Sequence, residues 1–145
     1  MSINTSGKWW VGSEPVDIRG FLEAYATKGY EVAEFRLATC PCGSDSFQLD
    51  ADDNEGVAKR ICNTCSTEHL LCDSAEYWSE AEPIRWACVE CGSEATNVGV
   101  GFSLNDHKEI HWLYIGCRCT NCGTLGCFAG WKIAYEPSRQ LLDQV

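Results

Sequence analysis

Apolar positions along the chain change period several times, and each change marks an element. Over residues 14 to 28, "EPVDIRGFLEAYATK", Ile18, Phe21, Leu22 and Tyr25 fall at i, i+3, i+4 and i+7. That spacing predicts an amphipathic helix with one apolar stripe. Ser13 is placed to be its N-cap, Pro15 sits in the first turn and Gly29 is a natural stop. Gly20 weakens the interior by roughly 1 kcal/mol relative to alanine. The period then shortens. "YEVAEFRLATC" reads as a strand with Phe35 and Leu37 on one side, running into the first cysteines. "FQLDADDNEGVAKRIC" reads as a hairpin about an acidic, glycine-containing turn, and "EHLLCD" as a third strand. "DSAEYWSEAEP" is a short helix or loop, and Pro83 closes this half.

The second half follows the same plan. "TNVGVGF" alternates Val98, Val100 and Phe102, and "SLNDHKE" is the turn. "IHWLYIGCRC" sets Ile110, Trp112 and Tyr114 against His111, Leu113 and Ile115. Both faces of that strand are apolar or aromatic, so the N-terminal helix or the other half must cover one of them. "TLGCFAGWKIAY" reads as a third strand, while "PSRQLLDQV" carries no clear pattern. The halves also align in their cysteine segments. "CPCGSDSF" matches "CVECGSEAT", and "RICNTCST" matches "CRCTNCGT". This predicts an internal repeat.

Eleven cysteines in 145 residues change the picture. Such a count points to disulfides in an oxidising compartment or to metal in a reducing one. The number is odd and the thiols sit in close pairs, which favours metal. The N-terminal stretch lacks the apolar core of a secretory signal, and no window of 18 apolar residues occurs. The expectation is a cytoplasmic metalloprotein.

The repeated unit is a thiol pair, a hairpin-length insert and a second pair. Cys40 and Cys42 go with Cys62 and Cys65, and Cys88 and Cys91 with Cys119 and Cys122. A tight turn across each pair brings two sulfurs to one point, with backbone amides facing the thiolates. Gly43, Gly92 and Gly123 follow three of the pairs and permit the positive φ such a turn needs, and Ser66 follows the fourth. Two facing turns offer four sulfurs in a tetrahedron, a donor set that suits zinc, with iron as the alternative. Two structural zinc ions are expected.

Over residues 38 to 133 the chain resembles the zinc-ribbon superfamily, on Cys40-Pro-Cys42-Gly, Cys62-Asn-Thr-Cys65, Cys88-Val-Glu-Cys91-Gly and Cys119-Thr-Asn-Cys122-Gly. The second half is also similar to rubredoxin, whose Cys-x-x-Cys-Gly turns hold iron. The ribbon resemblance implies two knuckles joined by a small antiparallel sheet, and no one function. The expected fold is therefore a small metal-stabilised α+β protein, mainly antiparallel β, with tandem ribbon-like units. Residues 1–37 form the N-terminal segment, 38–82 the first unit and 83–145 the second unit with its tail.

Cys72, Cys117 and Cys127 remain. They read as small buried hydrophobes, or as alternative ligands or redox thiols. Cys117 lies two residues before Cys119, close enough to exchange with it as a ligand, and His69 is a further candidate for the first site.

The net charge of −10 is uneven, because twelve acids between residues 41 and 94 meet only Lys59, Arg60 and Arg85. Each four-thiolate divalent site adds two more negative charges. A phosphate backbone is repelled by this field, which disfavours a nucleic-acid role. No His-Glu-x-x-His and no recognisable Ser/His/Asp set suggests an enzyme. What remains is a non-catalytic interaction or adaptor module. Its partner is another protein with a basic rim and an apolar pocket, or a second copy, met through Trp9, Trp10 and Trp78. A nucleic-acid-associated ribbon protein and a thiol-responsive regulator are the alternatives.

Overall fold

The computed structural model describes residues 3–26 and 29–145. Thr27 and Lys28, the end of the expected helix, lie outside the described residues. The chain is mainly antiparallel β with one α-helix. A short ribbon pairs β1 (Ile3–Asn4) with β2 (Val11–Gly12), and α1 (Asp17–Tyr25) follows. The main sheet contains β3 (Glu34–Leu37), β4 (Phe47–Asp52), β5 (Val57–Cys62), β6 (Glu68–Leu70), β7 (Ile84–Arg85), β8 (Thr96–Leu104), β9 (Ile110–Cys119) and β10 (Leu125–Lys132). Its order is β10-β9-β8-β4-β5-β6, with β3 also on β8 and β7 also on β4. Among the described residues no helix is long and apolar enough to cross a membrane.

The helix starts later than Ser13 predicts. Val16 occupies the N-cap position and makes no side-chain cap bond. Instead the Asp17 carboxylate accepts from the amides of Ser13 and Glu14, at 2.9 and 3.1 Å, and holds the turn before the helix. A carboxylate in the first turn also suits the positive end of the helix. Of the predicted stripe, Ile18 and Leu22 are fully buried, Phe21 is half-buried and Tyr25 is exposed. Burying Ile18 and Leu22 contributes about 1.5–3 kcal/mol each.

Those two side chains rest on glycines. A Cβ at Gly116 would lie 2.5 Å from Ile18 Cγ2 and 2.9 Å from Leu22 Cδ1, and one at Gly99 would lie 2.5 Å from Phe35 Cζ. The glycines of β8 and β9 thus form a trough that lets the helix approach the sheet closely. Both faces of β9 are covered, as the apolar pattern required. Trp112 and Tyr114 face the helix cluster, and Leu113 and Ile115 face the main core. Ile110 departs from expectation. It joins the main core rather than Trp112 and Tyr114, because the β8–β9 register shifts between Ser103 and Leu104. A one-residue shift turns a side chain to the opposite face.

The sheet curls around that core until β10 meets the β4–β5 turn. The Gly130 amide donates to Asp53 at 2.8 Å, and Trp131 lies against Gly56. The patternless tail is ordered here. Residues Arg139–Asp143 form a 3₁₀ turn that buries Leu141 and Leu142 in the same core.

The centre of the sheet has a reciprocal register. β4 and β8 meet antiparallel at Phe47 and Thr96, each the partner of the third cysteine of its own half, Cys62 and Cys119. The strand before the first cysteine of each half pairs with the other half. β3 pairs with β8 through Leu37↔Gly99, and β7 with β4 through Arg85↔Asp50. The next amides repeat the exchange, with Ala38 donating to Val98 and Trp86 to Leu49, both at 2.8 Å. Hydrogen bonds therefore run across the boundary between residues 82 and 83.

Candidate metal centre

Each thiol pair lies in a loop closed by its own backbone. The Cys62 amide donates to the Thr67 carbonyl and the Ser66 amide returns to Cys62. Cys88 with Ser93 and Gly92, and Cys119 with Thr124 and Gly123, repeat both bonds at 2.8–2.9 Å. The Cys40 loop makes the same two bonds one residue tighter, to Ser44 and from Gly43, as one fewer residue between its thiols requires. The position after the second thiol is left-handed in all four loops, with φ of 96° at Gly43, 65° at Ser66, 75° at Gly92 and 81° at Gly123. Amides inside the loops point at sulfur. Those of Thr64 and Cys65 approach Cys62 Sγ at 3.4 and 3.5 Å, and that of Glu90 approaches Cys88 Sγ at 3.4 Å.

Facing loops bring four sulfurs together twice. Cys40–Cys65 and Cys42–Cys62 are 3.5 and 3.6 Å apart, and Cys88–Cys122 and Cys91–Cys119 are both 3.5 Å apart. Within each group all sulfurs lie within 4.8 Å of one another. A tetrahedron with metal–sulfur bonds of 2.3 Å has edges of about 3.8 Å, so both cages have the dimensions of a four-thiolate ion. All eleven cysteines are free of disulfides. Each cage has two buried and two exposed thiols, Cys40, Cys62, Cys88 and Cys119 inward and Cys42, Cys65, Cys91 and Cys122 outward.

The protonation balance inside the cages is that of crowded thiols. Cys62 is lowered to about 6, chiefly by the Cys65 amide, and Cys91 to about 6, chiefly by Asn121 and the Ser93 amide. The Thr67 hydroxyl, 3.1 Å from Cys65, lowers that thiol too. At Cys42 the Ser44 amide lowers the thiol but is outweighed by hydrogen bonds with Cys40 and Cys62, and the group is raised to about 12. Burial raises Cys119 to about 12. Without a cation, ionising one sulfur opposes ionising the next, and a divalent metal removes that opposition.

The other thiols stay outside both cages. Cys117 Sγ lies 3.5 Å from the Gly126 carbonyl, Cys127 Sγ 3.5 Å from that of Ala129, and Cys72 Sγ 3.8 Å from that of Leu141. Burial pushes all three upward, Cys127 to about 12. His69 is not gathered into the first cage either. Its Nε2 donates to the Gln144 carbonyl at 2.9 Å and so pins the tail.

The named tryptophans have unequal settings. Trp10 packs edge-on to Phe21 at 5.8 Å, and its carbonyl accepts from Leu125. Trp78 lies under the Lys59 ammonium at 5.0 Å. Trp9 is 39% exposed and borders a groove of about 320 Å³ with Phe21, Tyr25, Trp86, Val89 and Phe128. Val89 lies inside the Cys88–Cys91 loop and is 67% exposed, so the groove adjoins the second cage.

Reasoning from sequence missed Arg60 and Asp73. Arg60 is buried, with its guanidinium over the Phe47 ring at 4.8 Å. Asp73 is also buried, and it accepts from Trp131 Nε1 at 3.2 Å and from Tyr135 OH at 3.0 Å. For Arg60 a signal existed, since an arginine two residues before Cys62 on an alternating strand must share that cysteine's inward face. No family model, curated protein or solved structure matches the chain.

Proposed function

We propose that this chain is a non-catalytic protein-interaction module whose two halves are zinc-ribbon units, each closed by one structural zinc. Cys40, Cys42, Cys62 and Cys65 hold the first ion, and Cys88, Cys91, Cys119 and Cys122 hold the second. The ions cross-link the loops and stabilise the fold. Sulfur separations near those of a tetrahedral thiolate cage support the zinc assignment. The recurring loop bonds and the reciprocal β3/β7 pairing support two copies of one unit. With four protein ligands each ion lacks an open position for water or substrate, so the metal supplies structure rather than Lewis-acid chemistry.

The observation that carries the interaction reading is the apolar groove at the second centre, with Trp9 and Val89 exposed on its rim. Exposed aromatics around a concave apolar floor are typical anchors for a protein partner. The acidic stretch between residues 41 and 94 favours a partner with a basic rim and opposes nucleic acid.

Metal analysis with X-ray absorption tests the first part, with two zinc ions per chain in all-sulfur coordination expected. Iron, or fewer than four sulfurs at either ion, overturns it. Affinity capture at low salt with native protein, Trp9→Ala and Val89→Asp tests the second. Basic proteins retained by the native chain and lost from both variants are expected. Identical retention by all three refutes the groove as the contact.

A further inference from the structure

A second concave site lies where α1 and β10 meet the helix-side face of β9. A cavity of about 180 Å³ opens between Tyr25, Asp53, Trp112, Tyr114, Cys127 and Gly130, and none of the eight cage cysteines lines it. Its aromatic walls stand at angles to one another. Tyr25 meets Tyr114 edge-on, with centroids 5.9 Å apart and planes at 83°, and Trp112 meets Tyr114 at 6.3 Å and 57°. Tyr30 stacks on Trp112 at 5.1 Å and fixes its plane. Gly130 keeps the space beside these rings open. It pairs with Tyr114 across the sheet, and a Cβ there would lie 3.4 Å from Trp112 Nε1 and 3.6 Å from Tyr114 Cδ1.

The groups around this space present ring surface and one negative charge. The Tyr114 hydroxyl donates to the Tyr30 carbonyl at 2.8 Å, and Trp112 Nε1 is buried. Both residues therefore offer the cavity mainly ring. Asp53 is exposed, in the turn between β4 and β5. Its Oδ1 accepts from the Gly130 amide at 2.8 Å, which anchors the carboxylate at the cavity, and Oδ2 has no partner among the described residues. No lysine, arginine or histidine among the described residues lines the cavity. Aromatic faces attract a cation placed within about 6 Å of the ring centre. The Asp53 carboxylate adds to that attraction, and the net charge of −10 raises the local concentration of cations.

We propose that this cavity binds a methylated ammonium group, carried by a small molecule or by a lysine side chain. An unmethylated ammonium has three N–H donors to satisfy, and the lining side chains supply one free carboxylate oxygen. Methyl groups need no acceptor and pack on the rings, while the charge faces Asp53. An anion is opposed by the same carboxylate, and a neutral apolar group gains nothing from it. The site does not depend on the zinc assignment. Tyr25 also borders the groove at the second centre, but Asp53 and Trp112 do not, so the two sites can be told apart.

The full chain is titrated with choline and with its neutral carbon isostere dimethylbutanol, and the Trp112 indole N–H resonance is followed. Saturable shifts with choline are expected, with the alcohol weaker by about 10-fold or more, the factor that a desolvated cation–π contact supplies. Asp53→Asn keeps the acceptor for the Gly130 amide and removes only the charge, and Tyr25→Leu removes one exposed ring. Each should weaken choline about 3–30-fold in a chain that keeps its native spectrum. Trp9→Ala, a change at the neighbouring groove, should leave choline binding as it is. Peptides with trimethyl-lysine or unmodified lysine form the second arm. A trimethyl-lysine peptide that binds more tightly than choline assigns the group to a protein side chain, and one that does not assigns it to a free small molecule. Either result supports the site. Equal affinity for choline and the alcohol, or unchanged choline binding in Asp53→Asn, overturns it. So does equal binding of the two peptides, and a loss in Trp9→Ala would move choline to the groove and overturn the assignment to this cavity.

Discussion

The contact between α1 and the sheet yields a quantitative test at Gly116. Alanine there is compatible with the backbone of β9, so the question is space. The new methyl would sit 2.5 Å from Ile18 Cγ2 and 2.9 Å from Leu22 Cδ1, about 1 Å inside normal carbon contact. Ile18 and Leu22 are fully buried, so the strain is relieved only by moving the helix. Overpacking of this kind costs about 1–3 kcal/mol, and replacing a strand glycine returns about 0.5–1 kcal/mol of backbone entropy. Gly116→Ala should thus destabilise by up to about 2.5 kcal/mol in net, on those two figures. Ile18→Ala should cost about 2–5 kcal/mol as a large-to-small core change. The double variant should cost less than the sum by about 0.5–3 kcal/mol, because the added methyl fills space that the isoleucine branches vacate. Denaturant unfolding followed by far-ultraviolet circular dichroism, with zinc constant and saturating, measures all three. Strict additivity, or a Gly116→Ala protein more stable than the native, would falsify the account of the glycine trough.

Chelation at neutral pH should unfold at least one half, since zinc binding in small domains is worth on the order of 10–16 kcal/mol against a net domain stability of about 5–15 kcal/mol. A native-like spectrum of the metal-free chain contradicts that. Cys119→Ser should lower zinc from two ions to one per chain, while Cys117→Ser should leave the count unchanged, and the opposite pattern by metal analysis exposes a wrong ligand set. Ser66→Gly should raise stability by about 0.5–1 kcal/mol, because serine there holds φ at 65°. Gly123→Ala should lower it, with φ at 81° and a Cβ 2.6 Å from the Gly12 carbonyl, and thermal melts separate the two. The Glu109 carboxylate is held below its ordinary 4.5 chiefly by the Ser138 amide, then by the Ser138 hydroxyl and the Arg139 amide. Its pKa is depressed in the folded state, so its hold on the tail is complete above 4.5 and is lost as pH falls through the lower folded value. The Ser138 amide resonance should follow that titration in the native chain and not in Glu109→Gln.

Local chemistry was legible without coordinates. Close thiol pairs followed by glycine can hardly form anything but tight left-handed loops, and Ser66 adopts the same backbone for the same reason. The Ile18 and Leu22 stripe and the alternation in β4, β5, β8 and β9 are local periodicities, so they marked elements and inward faces. What tertiary structure alone decided is every feature made by residues far apart in sequence. β7 is two residues long and has no periodicity to detect, yet its pairing with β4 completes the exchange that β3 makes with β8. Ile110 changed faces because of a register shift set by pairing, and the tail gained order only from the core that receives Leu141 and Leu142. Arg60 was visible as a residue but not as a buried charge. Its surroundings exist only when Cys40, Phe47, Cys62 and Val145 converge, and a linear pattern records neither that convergence nor the dielectric inside it.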